Sequence, residues 1–258
     1  MRRAPMQRIF HFLLLLGVLY ALACVALFAF QRSLIYFPPQ GAAVPAPKTS
    51  TLEVTGARVR VSERPLQGTR ALIYFGGNAE DVTMSLPQLD SVFPDRALYL
   101  MHYRGYAGST GKPTEKALVA DALALFDRVH AQHGDVVVIG RSLGSGIAVQ
   151  VAAARPLSRL VLVTPYDSLQ GLAADRFSWF PVRSLLQDKY ESWRHAPRVT
   201  APTLLLAADH DEIIPAASTR RLLTRFAPGV ASMTVIEGSG HNTISDASAY
   251  VESLKWAK

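Results

Sequence analysis

Gly140-Arg141-Ser142-Leu143-Gly144 directly follows the apolar run 136–139 and directly precedes a helix-like stretch over 147–154. The spacing predicts a strand, a sharp turn with a serine at its tip, and a helix. Glycines two residues to either side leave room for a turn tight enough to strain the backbone and lift the hydroxyl above the sheet. The N–H groups and dipole at the start of the next helix favour negative charge there. Ser142 is thus the candidate nucleophile. A serine hydroxyl attacks only when an imidazole takes its proton, and that imidazole needs a carboxylate to hold its tautomer and support its charge.

His195, His210 and His241 lie downstream of the serine. His241 follows Gly238-Ser239-Gly240, after the strand-like 233–236 and before a helix-like tail over 245–256. That places it on a glycine-rich turn at a strand's carboxyl end, where catalytic groups gather in parallel sheets. His195 sits in the polar, Trp-flanked stretch Ser192-Trp193-Arg194-His195 and reads as a surface or packing residue. The elbow resembles that of the α/β-hydrolases, a likeness that implies the chain order serine, acid, histidine, and His210 leaves too little chain for an acid on its own strand. His241 is the base these constraints select. For the acid, the strand-like 203–208 ends in Asp209-His210-Asp211-Glu212, then Ile213-Ile214-Pro215. Asp211 is preferred because it falls in the loop proper, just ahead of the turn into the next helix. Asp209, nearer the strand end, is the alternative, and either could instead be a loop charge or a helix cap.

Further stretches occur in order around these residues. They are Phe30-Gln31-Arg32-Ser33-Leu34-Ile35-Tyr36-Phe37-Pro38-Pro39, Tyr74-Phe75-Gly76-Gly77-Asn78-Ala79 and Tyr103-Arg104-Gly105-Tyr106, joined by the serine turn, Asp211-Glu212-Ile213-Ile214-Pro215 and Gly240-His241-Asn242. Together they resemble the membrane-anchored α/β-hydrolases of the Bem46-like, ABHD-related family, from about Phe30 to near the end of the chain. The resemblance implies an α/β-hydrolase fold and a triad of Ser142, Asp211 and His241. It also implies an oxyanion hole built from the backbone N–H groups of Asn78 and Leu143, donors fixed in place before charge develops. The family usually carries histidine where Gly76 stands. The loop over 103–109 resembles the family's arginine-glycine-tyrosine loop, a structural element near the site, and His102 before it reads as a hydrogen-bonded scaffold residue.

These residues need a frame. With 258 residues, 49% hydrophobic and 18% charged, the chain can bury a full core. A hairpin-like start over 52–61, around Thr55-Gly56, precedes strands and helices in alternation, which predicts a mostly parallel sheet with helices on both faces. Helices are expected over 114–130 and 216–226. Residues 169–200 contain more chain than one crossover helix needs and carry Phe177, Trp179, Phe180 and Trp193. That suits a small cap walling an apolar acyl pocket. The expected organisation is a cytoplasmic N-terminus over 1–8, a transmembrane anchor over 9–30, a proline-rich linker over 31–48 and an α/β-hydrolase domain over 49–258, with the cap at 169–200.

Residues 9–30 hold no charge, and as a helix they span about 33 Å, enough for a bilayer core. Arg2, Arg3 and Arg8 precede the run and only Arg32 closely follows it, so the positive-inside bias puts the hydrolase domain on the non-cytoplasmic side. A cleaved signal could end at Ala21-Leu22-Ala23, but the apolar core continues past it through Val25-Ala26-Leu27-Phe28. Cys24 as a lipid-bearing cysteine would be followed by polar residues, and here it is not.

A single cysteine excludes an intramolecular disulfide, and neither a metal nor another cofactor is implied. The net charge of +7 suits anionic membrane surfaces, and its scattered basic residues carry no nucleic-acid motif. The expected function is a membrane-anchored serine hydrolase acting on carboxylic esters or related acyl compounds, small or lipid-like, through an acyl-enzyme. The alternatives are a noncatalytic hydrolase-fold binding protein at the membrane and a serine peptidase of the same fold.

Overall fold

The computed structural model describes residues 3–39, 46 and 48–258. Residues 1–2 of the expected N-terminal segment, and 40–45 and 47 of the expected linker, lie outside the described residues. Eight strands form one sheet: β1 (Lys48–Val54), β2 (Ala57–Arg64), β3 (Arg70–Phe75), β4 (Ala97–Met101), β5 (Asp135–Arg141), β6 (Arg159–Val163), β7 (Thr203–Ala208) and β8 (Ala231–Ile236). Their spatial order is β1-β2-β4-β3-β5-β6-β7-β8. β1 with β2 and β2 with β4 pair antiparallel, and every other pair is parallel. The helices are α1 (Arg3–Ile35), α2 (Leu86–Val92), α3 (Glu115–His130), α4 (Leu143–Ala152), α5 (Leu169–Arg176), α6 (Val182–Leu185), α7 (Ser192–His195), α8 (Ala216–Leu223) and α9 (Ser248–Leu254). This is the α/β-hydrolase fold.

The central strands read as continuous apolar runs because both faces of a parallel sheet are covered. Their side chains alternate between two cores. Ile73 and Phe75 of β3 and Val136 and Val138 of β5 join Leu125 and Phe126 of α3 and Ile147 of α4 on one face. Leu72, Tyr74, Val137 and Ile139 join Leu86 and Leu89 of α2 and Leu254 of α9 on the other. The expected hairpin is β1–β2, turning at Gly56 with φ +74°. α3 begins one residue inside the expected range because Thr114 is its cap, its side chain accepting from the Ala117 N–H at 3.1 Å. α8 stops at Leu223, three residues before the expected end.

α1 is apolar and long enough to cross a membrane, with the candidate span running from Met6 to Ile35. Its end is not a tether. Residues 31–35, within the expected linker, continue the helix, and Tyr36 beyond it is 4% exposed in the main core. The Tyr36 hydroxyl lies 3.1 Å from Asp188 Oδ2 and 2.9 Å from the Tyr190 hydroxyl. Gln31 accepts from the Gln187 N–H at 2.7 Å, and Arg32 pairs with Asp188 at 3.0 Å. The folded domain therefore starts at about Gln31, and the boundary expected at residue 49 cuts through these contacts. Hydropathy alone gives no sign that a tyrosine between an apolar run and prolines is core.

His102 is buried at the end of β4 with Nε2 2.7 Å from Ser62 Oγ. Burial, and secondarily the Arg60 charge, push its pKa down from 6.5 to about 4. Between those values the unfolded chain binds the proton and the folded one does not, so stability rises with pH across this window and is lost as pH falls through it. The loss amounts to roughly 3 kcal/mol. Chemical denaturation at pH 7 and pH 4.5 should show that loss, and His102→Asn should flatten the pH dependence. Tyr36→Phe should cost about 1–2 kcal/mol through the lost hydroxyl and Tyr36→Ala about 3–5 kcal/mol through the cavity. An unchanged denaturation midpoint in both would mean the α1 junction does not support the domain.

Candidate active site

Ser142 occupies the turn between β5 and α4 with φ +48° and ψ −115°, a backbone state costly for any residue but glycine. The turn closes because its neighbours lack side chains. A Cβ at Gly140 would sit 2.6 Å from the Ala148 Cβ, and one at Gly144 would collide with the Phe75 carbonyl oxygen and come within 2.6 Å of that of Gly76. The elbow is thereby pressed against the end of β3, and the loop after β3 is brought beside the serine.

Ser142 Oγ lies 3.0 Å from His241 Nε2. On the far side of the ring, His241 Nδ1 lies 2.9 Å from Asp211 Oδ2 and 3.0 Å from Oδ1. The two side chains are nearly closed off from solvent, at 6% and 3% exposure. Asp211 sits in the loop after β7, and Oδ1 also accepts from the N–H groups of Ile213 (2.9 Å) and Ile214 (2.7 Å). Burial raises the pKa of this carboxyl, but the His241 contact and these N–H groups outweigh it and hold it below the usual aspartate range. The group stays ionised beside the imidazole. Asp209 points elsewhere: it is exposed and lies 3.4 Å from His210, itself exposed. His195 is half-buried against Arg198 at 2.9 Å. Of the residues considered for each role, the fold brings together Ser142, His241 and Asp211.

The loop Gly76-Gly77-Asn78 runs beside the elbow, and a Cβ on Gly77 would lie 3.6 Å from the Ser142 Cβ. The backbone N–H groups of Asn78 and Leu143 donate to nothing among the described residues, and both residues line one cavity with Ser142 and His241. Glycine at 76 suits this loop because a Cβ there would lie 2.6 Å from Val82 Cγ1. The loop is held in other ways. Glu80 accepts from the Gly77 N–H at 2.6 Å and from the Tyr74 hydroxyl at 2.7 Å, and Arg141 bridges Glu80 and the His241 carbonyl, each at 3.4 Å. The Tyr103 hydroxyl donates to the Gly76 carbonyl at 2.7 Å, and that of Tyr106 to Asn78 Oδ1 at 2.9 Å. Arg104 between them is fixed by a buried two-point pair with Asp121 of α3. The Asn78 amide in turn donates to the Ile35 carbonyl and accepts from the Phe37 N–H.

Two site residues escaped the sequence reading. Glu212, one of the three carboxylates after the strand-like 203–208, accepts from the His241 N–H at 3.2 Å, a role its position beside Asp211 does not signal. Glu80 carried no signal. The cavity, about 790 Å³, is lined beyond Ser142 and His241 mostly by apolar side chains from α1, α5, α6 and the turn between the last two, among them Leu27, Phe28, Leu172, Phe180 and Leu185.

No family model matches the chain. An uncharacterized protein of Mycobacterium tuberculosis is 34% identical over 82% of this chain and 80% of its own length. The alpha/beta hydrolase domain-containing protein aho-3 of Caenorhabditis elegans is 31% identical over 74% of this chain and 58% of its own. The human alpha/beta hydrolase domain-containing protein 17B is 29% identical over 71% of this chain and 64% of its own. The chain thus spans less than two thirds of these last two. Among solved structures, mouse alpha/beta hydrolase domain-containing protein 10 superposes with a TM-score of 0.65 at 17% identity, covering 81% of this chain and 96% of that one.

Glu80→Ala removes the acceptor for the Gly77 N–H and releases the loop beside Ser142. A displacement of about 1 Å there should slow reaction of the serine with a fluorophosphonate by about 10²-fold, with the circular dichroism spectrum unchanged. An unaltered labelling rate would show that Tyr103 and Asn78 suffice to hold the loop.

Proposed function

This chain belongs to the ABHD-related α/β-hydrolase family, and we propose that within it the protein is a membrane-anchored serine hydrolase that cleaves carboxylic esters or related acyl compounds. The observation that carries this reading is the continuous chain from Ser142 Oγ through both nitrogens of His241 to the Asp211 carboxylate, at 3.0 and 2.9 Å. In the mechanism this supports, Asp211 accepts from Nδ1–H and leaves Nε2 free to take a proton. Ser142 Oγ attacks the acyl carbon as its proton passes to Nε2. The carbonyl oxygen takes up negative charge against the N–H groups of Asn78 and Leu143, a pair of donors worth roughly 3–4 kcal/mol each to such a state. The tetrahedral species collapses, the leaving oxygen takes the proton from Nε2, and an acyl-serine remains. Water, deprotonated by the same nitrogen, then attacks the acyl-serine and releases the carboxylic acid and free serine.

α1 acts as the anchor, with the arginines at its N-terminal end on the cytoplasmic side and the hydrolase domain on the other. The apolar cavity suits an acyl chain better than a peptide. The N–H groups of Asn78 and Leu143, which donate to nothing among the described residues, beside a serine aligned with His241 support catalysis over binding alone.

Labelling with a fluorophosphonate, together with turnover of esters of graded chain length, tests the reading. Ser142→Ala should abolish both, with a loss of about 10⁴- to 10⁶-fold in rate. Asp211→Asn should lower the rate by about 10⁴-fold, while Asp209→Asn should stay within a few fold of the parent. No labelling of the parent protein would point to a noncatalytic binding role for this fold, full labelling of the Ser142→Ala variant would move the nucleophile to another residue, and the reverse ranking of the two aspartates would move the acid to Asp209.

A further inference from the structure

The cavity beside Ser142 has an unusual wall. Leu27, Phe28, Gln31, Leu34 and Ile35 line it from α1; their spacing puts them on one face of the helix, so the helix that carries the membrane span also encloses the site. Leu27 and Phe28 lie inside the uncharged apolar run 9–30. The cap provides the facing wall through α5 and α6. The contact between the two extends far along the helix: the Tyr20 hydroxyl donates to the Trp179 carbonyl at 2.9 Å, and the Tyr20 ring stacks on Phe180 with centroids 5.8 Å apart. From Tyr20 to Ile35 the cap follows α1 for about 22 Å.

The mouth between these walls is apolar and open. Phe28, Leu34 and Phe177 line the cavity yet are 45%, 56% and 48% exposed, and Trp179 at the tip of the cap is 86% exposed. Soluble domains seldom leave so many large apolar side chains together in water. Here they adjoin a helix suited to a bilayer, and aromatic rings beside such a helix are at home at the depth of lipid headgroups and upper acyl chains.

We propose that the cavity is filled from the bilayer and not from water: α1 and the tip of the cap frame a portal within the leaflet next to the hydrolase domain, and the acyl chain of a membrane lipid ester enters through it until its carbonyl reaches Ser142. The final step rests on Ser142 being the nucleophile; the portal does not. The occupant is specified by chemistry. A long unbranched acyl chain fits a passage lined by Leu27, Phe28, Phe177 and Phe180.

The test uses the full chain in phosphatidylcholine vesicles. Lipids brominated at mid-chain should quench the emission of Trp179, and Trp179→Phe should abolish most of the quenching. A phosphatidylcholine with a photoreactive diazirine at the end of one acyl chain should label peptides covering residues 27–35 and 169–186. Emission insensitive to brominated lipid, with labels confined to α1 before Tyr20, would overturn the portal. Persistence of both signals in a protein whose Ser142 ignores fluorophosphonates would support the portal and refute the hydrolase. A reactive Ser142 without either signal would do the opposite.

Discussion

The strained turn at Ser142 is the constraint on which the site depends. A non-glycine residue at φ +48° costs on the order of 1–3 kcal/mol and persists only where its surroundings over-determine it. They do so here through close packing of backbone. Gly144 rests on the carbonyls of Phe75 and Gly76, and Gly140 on Ala148. The same contacts that hold the serine up also bring the end of β3 to it, and with it the loop that carries Asn78. Asp211 and His241 need less precision from their own segments, since each comes from a loop after the carboxyl end of β7 or β8, and the parallel register from β5 to β8 fixes those ends side by side.

From that point a second chain of contacts leads outward. Asn78 has its backbone toward the serine and its amide on Ile35 and Phe37. The last turn of α1 is therefore bonded to the loop that would hold the oxyanion, and movement of α1 is felt there directly. Tyr36 and Arg32 meet at Asp188, while the N–H groups of Lys189 and Tyr190 next to it donate to Glu115 at the start of α3. Asp188 is buried with partners on two sides, which is the condition under which a buried carboxylate is tolerated. α1, the cap and the catalytic loops are consequently one packed unit.

Much of this was legible in the sequence, for identifiable reasons. The elbow announces itself because only glycine fits on either side of it, and parallel strands announce themselves as unbroken apolar runs. Asp211 and His241 were legible because each follows such a run on a loop. What the sequence did not disclose was long-range in origin. Glu80 is one carboxylate among many until the Gly77 N–H is seen beside it, and Tyr36 looks like part of a linker until Asp188 and Tyr190 close over it. The stretch from Phe30 to Pro39 did share in the family resemblance, which is a sign that it serves the hydrolase domain. A hydropathy boundary drawn at Phe30 hid that sign, because the same helix continues across it with polar residues that face protein.

The position of those polar residues has a consequence for how deep the site sits. An apolar run ending at Phe30 is followed at once by Gln31 and Arg32, whose side chains are bonded to the cap at Gln187 and Asp188. The register of α1 against the cap is thus set by directional bonds, which a sliding apolar contact alone would not do. The cavity extends from Leu27 to Ile35, about 12 Å along the helix axis, and so straddles the change from apolar to polar. Its outer half is solvent for a hydrocarbon chain, and its inner half holds the Ser142–His241 pair. An amphiphile entering it would have its chain and its ester each matched to the wall beside them, and the fixed register of α1 would keep that match in place were the helix to tilt in a bilayer.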